Sequence, residues 1–329
     1  MGTQGSTSKI STYRRCKRKF YYNDILKLQH KCQSILPVRG TILHECLSNL
    51  YTGKDWATPI RDLKIEWDKL FDEEREEWGN LPDELYRIMR GYILAYRSLD
   101  AGIKTLAVER QFALPVKGGH TYNGTIDWVY EDKDGVWIAD HKTTKAIPPV
   151  NELYMDLQTL IYFEAVKQGC VEGVTPDNLA GIVFNHIKTK PPSKPRILKN
   201  GTVSKAQCDT DVATYFEAVK NAGQDPKDYE DMLDKLKDNE FFKRRKIPVS
   251  PKSIQILIDE AEVTLGEIEI HRNHKEKPTI FTRNMMKNRC SWDCEFYKLC
   301  FSELAGNNTQ PIIEEYYERR ERRYDDQED

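Results

Sequence analysis

The chain has 329 residues, 39% of them hydrophobic and 31% charged, with 50 Lys and Arg set against 52 Asp and Glu for a formal net charge of −2. That balance suits a soluble globular protein with room for a substantial core, in one large domain or two ordinary ones, and excludes a chain that is basic throughout. No apolar run approaches the roughly 18 to 20 residues of a membrane span, and the polar start MGTQGSTSK lacks the apolar stretch of a secretion signal, so the cytoplasm is the expected compartment.

The first residues are rich in Gly, Ser and Thr and read as a mobile leader; Ser11 to Tyr22 follows, basic and aromatic, with Cys16 inside it. RGTILHECLSNLY reads as a helix, because Ile42, Leu43, Cys46, Leu47 and Leu50 recur at spacings of three and four until Thr52-Gly53 stops the pattern. Further helical stretches are expected from about Trp56 to Trp78 and from Asp83 to Leu99, bounded by Pro82 and Gly102.

The texture changes at Lys104. TLAVERQFALPV, HTYNGTIDWVYED and GVWIADHKT are rich in β-branched and aromatic residues and are separated by Gly-Gly and by Asp132-Lys-Asp-Gly135, which predicts three strands. VNELYMDLQTLIYFEAVKQ then predicts a helix with Leu153, Leu157, Leu160 and Ile161 on its apolar face, and LAGIVFNHIKTK a further strand. PPSKPR reads as a flexible or edge connection, followed by helices at about 205–222 and 250–273. EEYYERRERRYDDQED is charged without an apolar face and reads as a helix end running into disorder. The expected class is mixed α/β, with a helical region over 1–103, a core over 104–190, a helical region over 191–305 and a charged tail over 306–329.

The chemistry lies in polar residues set into apolar strands. Asp127 interrupts GTIDW, and Asp140 and Lys142 end the strand VWIADHKT, where alternation puts both on one face with His141 opposite. Two buried aspartates need a compensating cation. Hard oxygen ligands select Mg²⁺ or Mn²⁺, an ion suited to phosphodiester hydrolysis, and a lysine beside it can orient the attacking water or neutralise developing charge. The alternative is a pair of ordinary residues at a solvated strand end.

This arrangement resembles the PD-(D/E)XK nuclease superfamily, and within it the RecB-like branch: an acid on one strand (Asp127), D-x-K on the next (Asp140, Lys142), and Q-x-x-x-Y on a helix (Gln158, Tyr162). Gly40-Thr-Ile-Leu-His44 fits the upstream G-x-x-x-H pattern of the same branch. The resemblance implies a restriction-endonuclease-like mixed sheet core, with His44, Asp127, Asp140 and the backbone carbonyl of His141 as metal ligands and Lys142 as the catalytic lysine. Glu109, embedded in AVERQF, is a further candidate ligand or a partner for Arg110 or another basic residue.

Near the end, CSWDCEFYKLC holds Cys290, Cys294 and Cys300. The iron-sulfur nucleases of this branch, including the AddB type and a small CRISPR-adaptation nuclease, have one cysteine before the nuclease motifs and three after, which implies Cys16 as the fourth ligand of a [4Fe-4S] cluster. Zinc on the same four thiols and plain buried free cysteines are the alternatives, and here the first gap is one residue longer than the family habit. Cys32, Cys46, Cys170 and Cys208 read as small hydrophobes.

The resulting expectation is a Mg²⁺- or Mn²⁺-dependent deoxyribonuclease, an exonuclease on single strands or DNA ends in recombination, replication or repair, of the kind phages also carry. Its basic runs at 14–19, 188–199 and 243–246 would hold the phosphate backbone. No phosphate-binding loop for a motor is present, so a helicase or recombination partner would supply unwinding. The alternatives are a CRISPR-adaptation or recombination accessory, and a DNA-binding module with a decayed site.

Overall fold

The strand-forming stretches from residue 104 onward are long enough to span a sheet, and they organise everything else. The computed structural model describes residues 2–31, 35–175, 177–237, 239–286 and 289–320. One mixed sheet contains β1 (Gln4–Gly5), β3 (Lys104–Pro115), β4 (Thr121–Asp132), β5 (Gly135–Thr144), β6 (Leu179–Lys188) and β7 (Phe242–Ile247), while β2 (Leu28–His30) and β8 (Tyr317–Arg319) pair separately. β3 runs antiparallel along one edge of β4; the other edge is shared by β1, parallel, and β5, antiparallel. β5 then pairs parallel with β6, and β6 antiparallel with β7.

The helices are α1 (Thr7–Arg15), α2 (Lys17–Phe20), α3 (Ile35–Tyr51), α4 (Thr58–Trp67), α5 (Asp72–Trp78), α6 (Leu81–Asp100), α7 (Val150–Leu153), α8 (Leu157–Lys167), α9 (Val212–Asn221), α10 (Glu230–Leu236), α11 (Pro251–Arg272), α12 (Arg289–Asp293), α13 (Tyr297–Leu304) and α14 (Gln310–Tyr316). They cover both faces of the sheet. Ile161, Tyr162, Ala165 and Val166 of α8 and Leu265 and Ile268 of α11 share one core with Ile126, Val129 and Ile138, joined by Ile10, Tyr13 and Phe20 from the start of the chain. Leu43 and Leu47 of α3 and Leu85, Ile88, Met89 and Tyr92 of α6 form a second core that reaches Ile187 of β6. This is a restriction-endonuclease-like arrangement, a mixed sheet between helical layers.

Several expectations change. The leader is not loose: β1 adds to the sheet edge, and Gly5 is needed there, since a Cβ would lie 2.3 Å from Leu265 of α11. The helical region expected over 56–78 consists of α4 and α5, while the single helix expected over 150–168 divides into α7 and α8, where Asp156 caps the second helix by accepting from the Thr159 amide at 2.8 Å. The helix expected from 205 begins only at Val212, capped by Asp211. The charged tail holds a strand, β8, directly after α14; residues 321–329 and Cys32 lie outside the described residues. The basic run at 243–246 is β7, a strand with alternating faces.

Candidate active site

The site forms where two strands part. The β4–β5 ladder ends at the pair Trp128 and Ala139, so Asp127 and Asp140, next in register, face a widening gap. The amide that the ladder leaves free, that of His141, donates instead to Oδ2 of Asp127 at 2.7 Å. Burial of Asp127 at 7% exposure and Asp140 at 1% makes both carboxylates costly without a cation nearby.

α3 crosses this gap and brings His44 to it. His44 Nε2 lies 3.0 Å from the main-chain oxygen of His141, and Nδ1 lies 3.6 Å from Asp127 and 3.8 Å from Glu109. Ligand atoms of His44, Glu109 and Asp127 all fall within 4.8 Å of one another. Asp140 stands outside that trio, and its Oδ2 lies 2.9 Å from Lys142 Nζ. The contact satisfies charge, but not direction, because the same oxygen is buried without a properly oriented hydrogen bond.

Glu109 does not pair with Arg110, whose nearest carboxylate is Glu172 at 3.6 Å. Glu109 lies opposite Asp127 in the β3–β4 register and has a φ of 45°, a left-handed conformation that costs an acidic residue about 1–2 kcal/mol. The strain turns its carboxylate toward His44.

Lys142 is held from two sides. Its ammonium donates to Gln158 Oε1 at 2.6 Å, and Gln158 Nε2 donates to the Tyr162 hydroxyl at 2.5 Å, so the two helix residues four apart act in series. Room for Tyr162 comes from Gly124, where a Cβ would lie 3.2 Å from the tyrosine ring and 2.6 Å from that of Phe112.

The charges are out of balance in a consistent direction. Burial, joined by repulsion from Asp140, lifts Asp127 to about 7, against the pull of His44 and the His141 amide. Burial also raises Asp140, despite Lys142. For His44, burial opposes the charge, yet Glu109, Asp127 and Asp140 outweigh it and raise the imidazole to about 9. Burial likewise opposes the charge on Lys142, and Asp140 and Asp156 overcome it, so its pKa is raised. Burial holds His141, on the far face of β5, well below the usual histidine value and therefore neutral. Three acidic side chains compete for too few positive partners, and oxygen donors with one imidazole are a set that fits a hard divalent ion.

Two participants escaped the sequence reading. Asp156, the cap of α8, acts electrostatically on both Asp140 and Lys142. Asn185, fully buried on β6, donates to Nδ1 of His141 at 2.7 Å; its signal was a lone amide inside the apolar run IVFNHI.

The cysteines define a second place. Cys16, Cys290, Cys294 and Cys300 line one cavity of about 290 Å³, and the described cysteines are all free thiols. Arg283 Nε donates to Cys300 Sγ at 3.3 Å and the Asn284 amide to Cys16 Sγ at 3.5 Å. Cys46 is buried in the α3–α6 core, and Cys170 and Cys208 pack against apolar clusters elsewhere.

Residues 4–300 match the family model described as the PD-(D/E)XK nuclease superfamily, and the chain belongs to that superfamily. No protein of curated function matches it in sequence. A crystal structure of an Eubacterium rectale protein, named provisionally as an exonuclease, aligns over 88% of this chain and 88% of its own, with 13% identity and a TM-score of 0.45. So loose a likeness carries no conclusion about chemistry. No helix among the described residues is long and apolar enough to cross a membrane.

Proposed function

We propose that this nuclease is a divalent-metal-dependent deoxyribonuclease of the RecB-like branch, acting on single strands or DNA ends. The observation that carries the reading is the convergence of His44, Glu109, Asp127 and the His141 carbonyl at the gap between β4 and β5, with Asp140 and Lys142 beside them. His44, Asp127, Asp140 and the His141 carbonyl would hold Mg²⁺ or Mn²⁺, with Glu109 able to join them, and the ion would polarise the phosphoryl oxygen and acidify a bound water.

The chain's own groups then have definite tasks. Lys142, braced by Gln158 and Asp140, presents a fixed ammonium to the negative charge that develops on the phosphate. Tyr162 holds Gln158 and through it sets the direction of Lys142. Backbone contacts from basic side chains carry no sequence information, so cleavage is expected to show weak sequence preference.

The proposal includes an iron-sulfur cluster on Cys16, Cys290, Cys294 and Cys300. Its support is that four thiols from opposite ends of the chain line one cavity, two of them accepting N–H bonds of the kind that tune thiolate ligands. Zinc on the same four thiols is the alternative.

Purified protein assayed with Mg²⁺ or Mn²⁺ on end-labelled single-stranded, duplex and circular DNA tests the reading. Linear substrates are expected to be digested, with Asp140→Ala and Lys142→Ala inactive; digestion by either variant at the wild-type rate would refute these assignments. For the thiols, Cys16→Ser is expected to lose iron and visible absorbance and to melt at a lower temperature, whereas Cys170→Ser keeps both. An unchanged iron content in Cys16→Ser removes Cys16 from the ligand set.

A further inference from the structure

KRRK reads as a surface run, but one of its arginines is turned into the protein. On β7 the Arg244 side chain is sandwiched by aromatic rings, its guanidinium carbon 3.9 Å from the Tyr96 ring centre and 5.3 Å from that of Trp128. It pairs with Asp100 at the end of α6, Nη2 to Oδ2 at 2.9 Å, and the same nitrogen donates to the hydroxyls of Tyr51 and Tyr92, each at 2.7 Å. The chain of bonds continues beyond the arginine. Asn185 Nδ2 donates to the Tyr92 hydroxyl at 2.8 Å and to His141 Nδ1 at 2.7 Å.

This network grips the elements that carry the candidate ligands. Tyr51 lies two turns after His44 on α3, hence on the same helix face, and stacks on Trp128 with ring centres 3.8 Å apart and planes 11° from parallel. Trp128 follows Asp127 on β4. His141, at the end of the network, offers its amide to Asp127 and its carbonyl to His44.

As a source of stability the arrangement is a poor choice. Desolvating a buried ion pair commonly costs as much as the attraction returns, and packed apolar side chains serve at least as well. Arg244 Nε and Asn185 Oδ1 are in addition buried without a hydrogen-bond partner. What apolar packing does not provide is a set of fixed-length directional bonds joining α3, α6, β6 and β7.

We propose that Arg244 is a positioning residue, which sets the separation between His44 and the Asp127–His141 pair by holding Tyr51 on one side and, through Tyr92 and Asn185, the His141 ring on the other. The inference rests on the assignment of His44, Asp127 and the His141 carbonyl as the cation site.

The test replaces both charges together, because Arg244→Met alone leaves Asp100 buried and unpaired. The double variant Arg244→Met/Asp100→Leu is expected to fold with a Tm equal to or above that of the wild type. Its Mn²⁺ affinity, measured by calorimetry, is expected to fall about ten- to hundredfold. On a labelled single-stranded oligonucleotide kcat is expected to drop with it, while KM changes little, since Arg244 is enclosed by Tyr96 and Trp128. A folded double variant with wild-type Mn²⁺ affinity and kcat overturns the positioning role. A double variant that does not fold makes the pair structural and overturns it equally. Asp127→Asn separates the two readings: loss of Mn²⁺ binding in that variant keeps the cation site whatever Arg244 does, and retention of binding removes the site and this inference together.

Discussion

His44 Nε2 faces the main-chain oxygen of His141 at 3.0 Å, a direct contact between groups from elements far apart in sequence. A single side-chain hydrogen bond of this kind contributes only about 1 kcal/mol. His44→Ala is therefore expected to change Tm little and to lower Mn²⁺ affinity at least tenfold. Titration calorimetry beside a melting curve checks both, and a large loss of stability with unchanged metal binding would make His44 structural.

Lys142→Met keeps the length of the side chain and removes its charge. Asp127 and His44 stay in place, so Mn²⁺ binding is expected to persist while kcat on single-stranded DNA falls about 10²- to 10³-fold, the usual effect of removing one group aimed at developing charge. Equal losses in metal binding and in turnover would show that the lysine orders the site rather than acts in it.

Glu109→Gly separates backbone strain from side-chain chemistry. Glycine adopts the 45° φ freely and removes one of the crowded carboxylates, so the metal-free protein is expected to melt no lower than the wild type. Mn²⁺ affinity is expected to fall. A variant that melts lower and binds metal normally would assign Glu109 to the fold alone.

His186 gives the protein an acid limit. Burial, assisted by Arg245 and Lys142, holds its imidazole down at about 4, against about 6.5 in an unfolded chain. The unfolded state thus takes up the proton first. Its contribution is complete above pH 6.5 and is lost as the pH falls toward 4, by about 3 kcal/mol across that window. His186→Phe, which keeps a ring beside Phe184, is expected to flatten this part of the stability curve in chemical denaturation between pH 4 and 7. An unchanged slope would place the acid sensitivity in other groups.

Much of the sheet and of the candidate site was legible because its signals are local. β3, β4, β5 and β6 each fall in one stretch rich in β-branched and aromatic residues, and Asp127, Asp140 and Lys142 stand out as charged residues within such stretches. Gln158 and Tyr162 are four apart, and helix geometry alone puts them on one side. The conformation of Glu109 was not legible, since nothing in AVERQF distinguishes a left-handed residue from its extended neighbours. Arg244 was hidden for another reason: the rings that enclose it come from α6 and β4, so its environment exists only after the chain has folded. β1, β2 and β8 are two or three residues long, too short to show alternation, and only their distant partners make them strands.

The pairing of β2 with β8 has a consequence for how the protein is made. Leu28, Gln29 and His30 find their ladder partners in Arg319, Glu318 and Tyr317, so an early segment of the nascent chain waits for a late one. On the ribosome the central sheet can assemble while that clasp is still open, because synthesis proceeds at only about 5–20 residues per second and domains fold as their residues emerge. The segment bearing Cys16 likewise meets its cavity neighbours only once Cys290, Cys294 and Cys300 have been translated, so the thiol-lined cavity closes after the strands of the central sheet have been made.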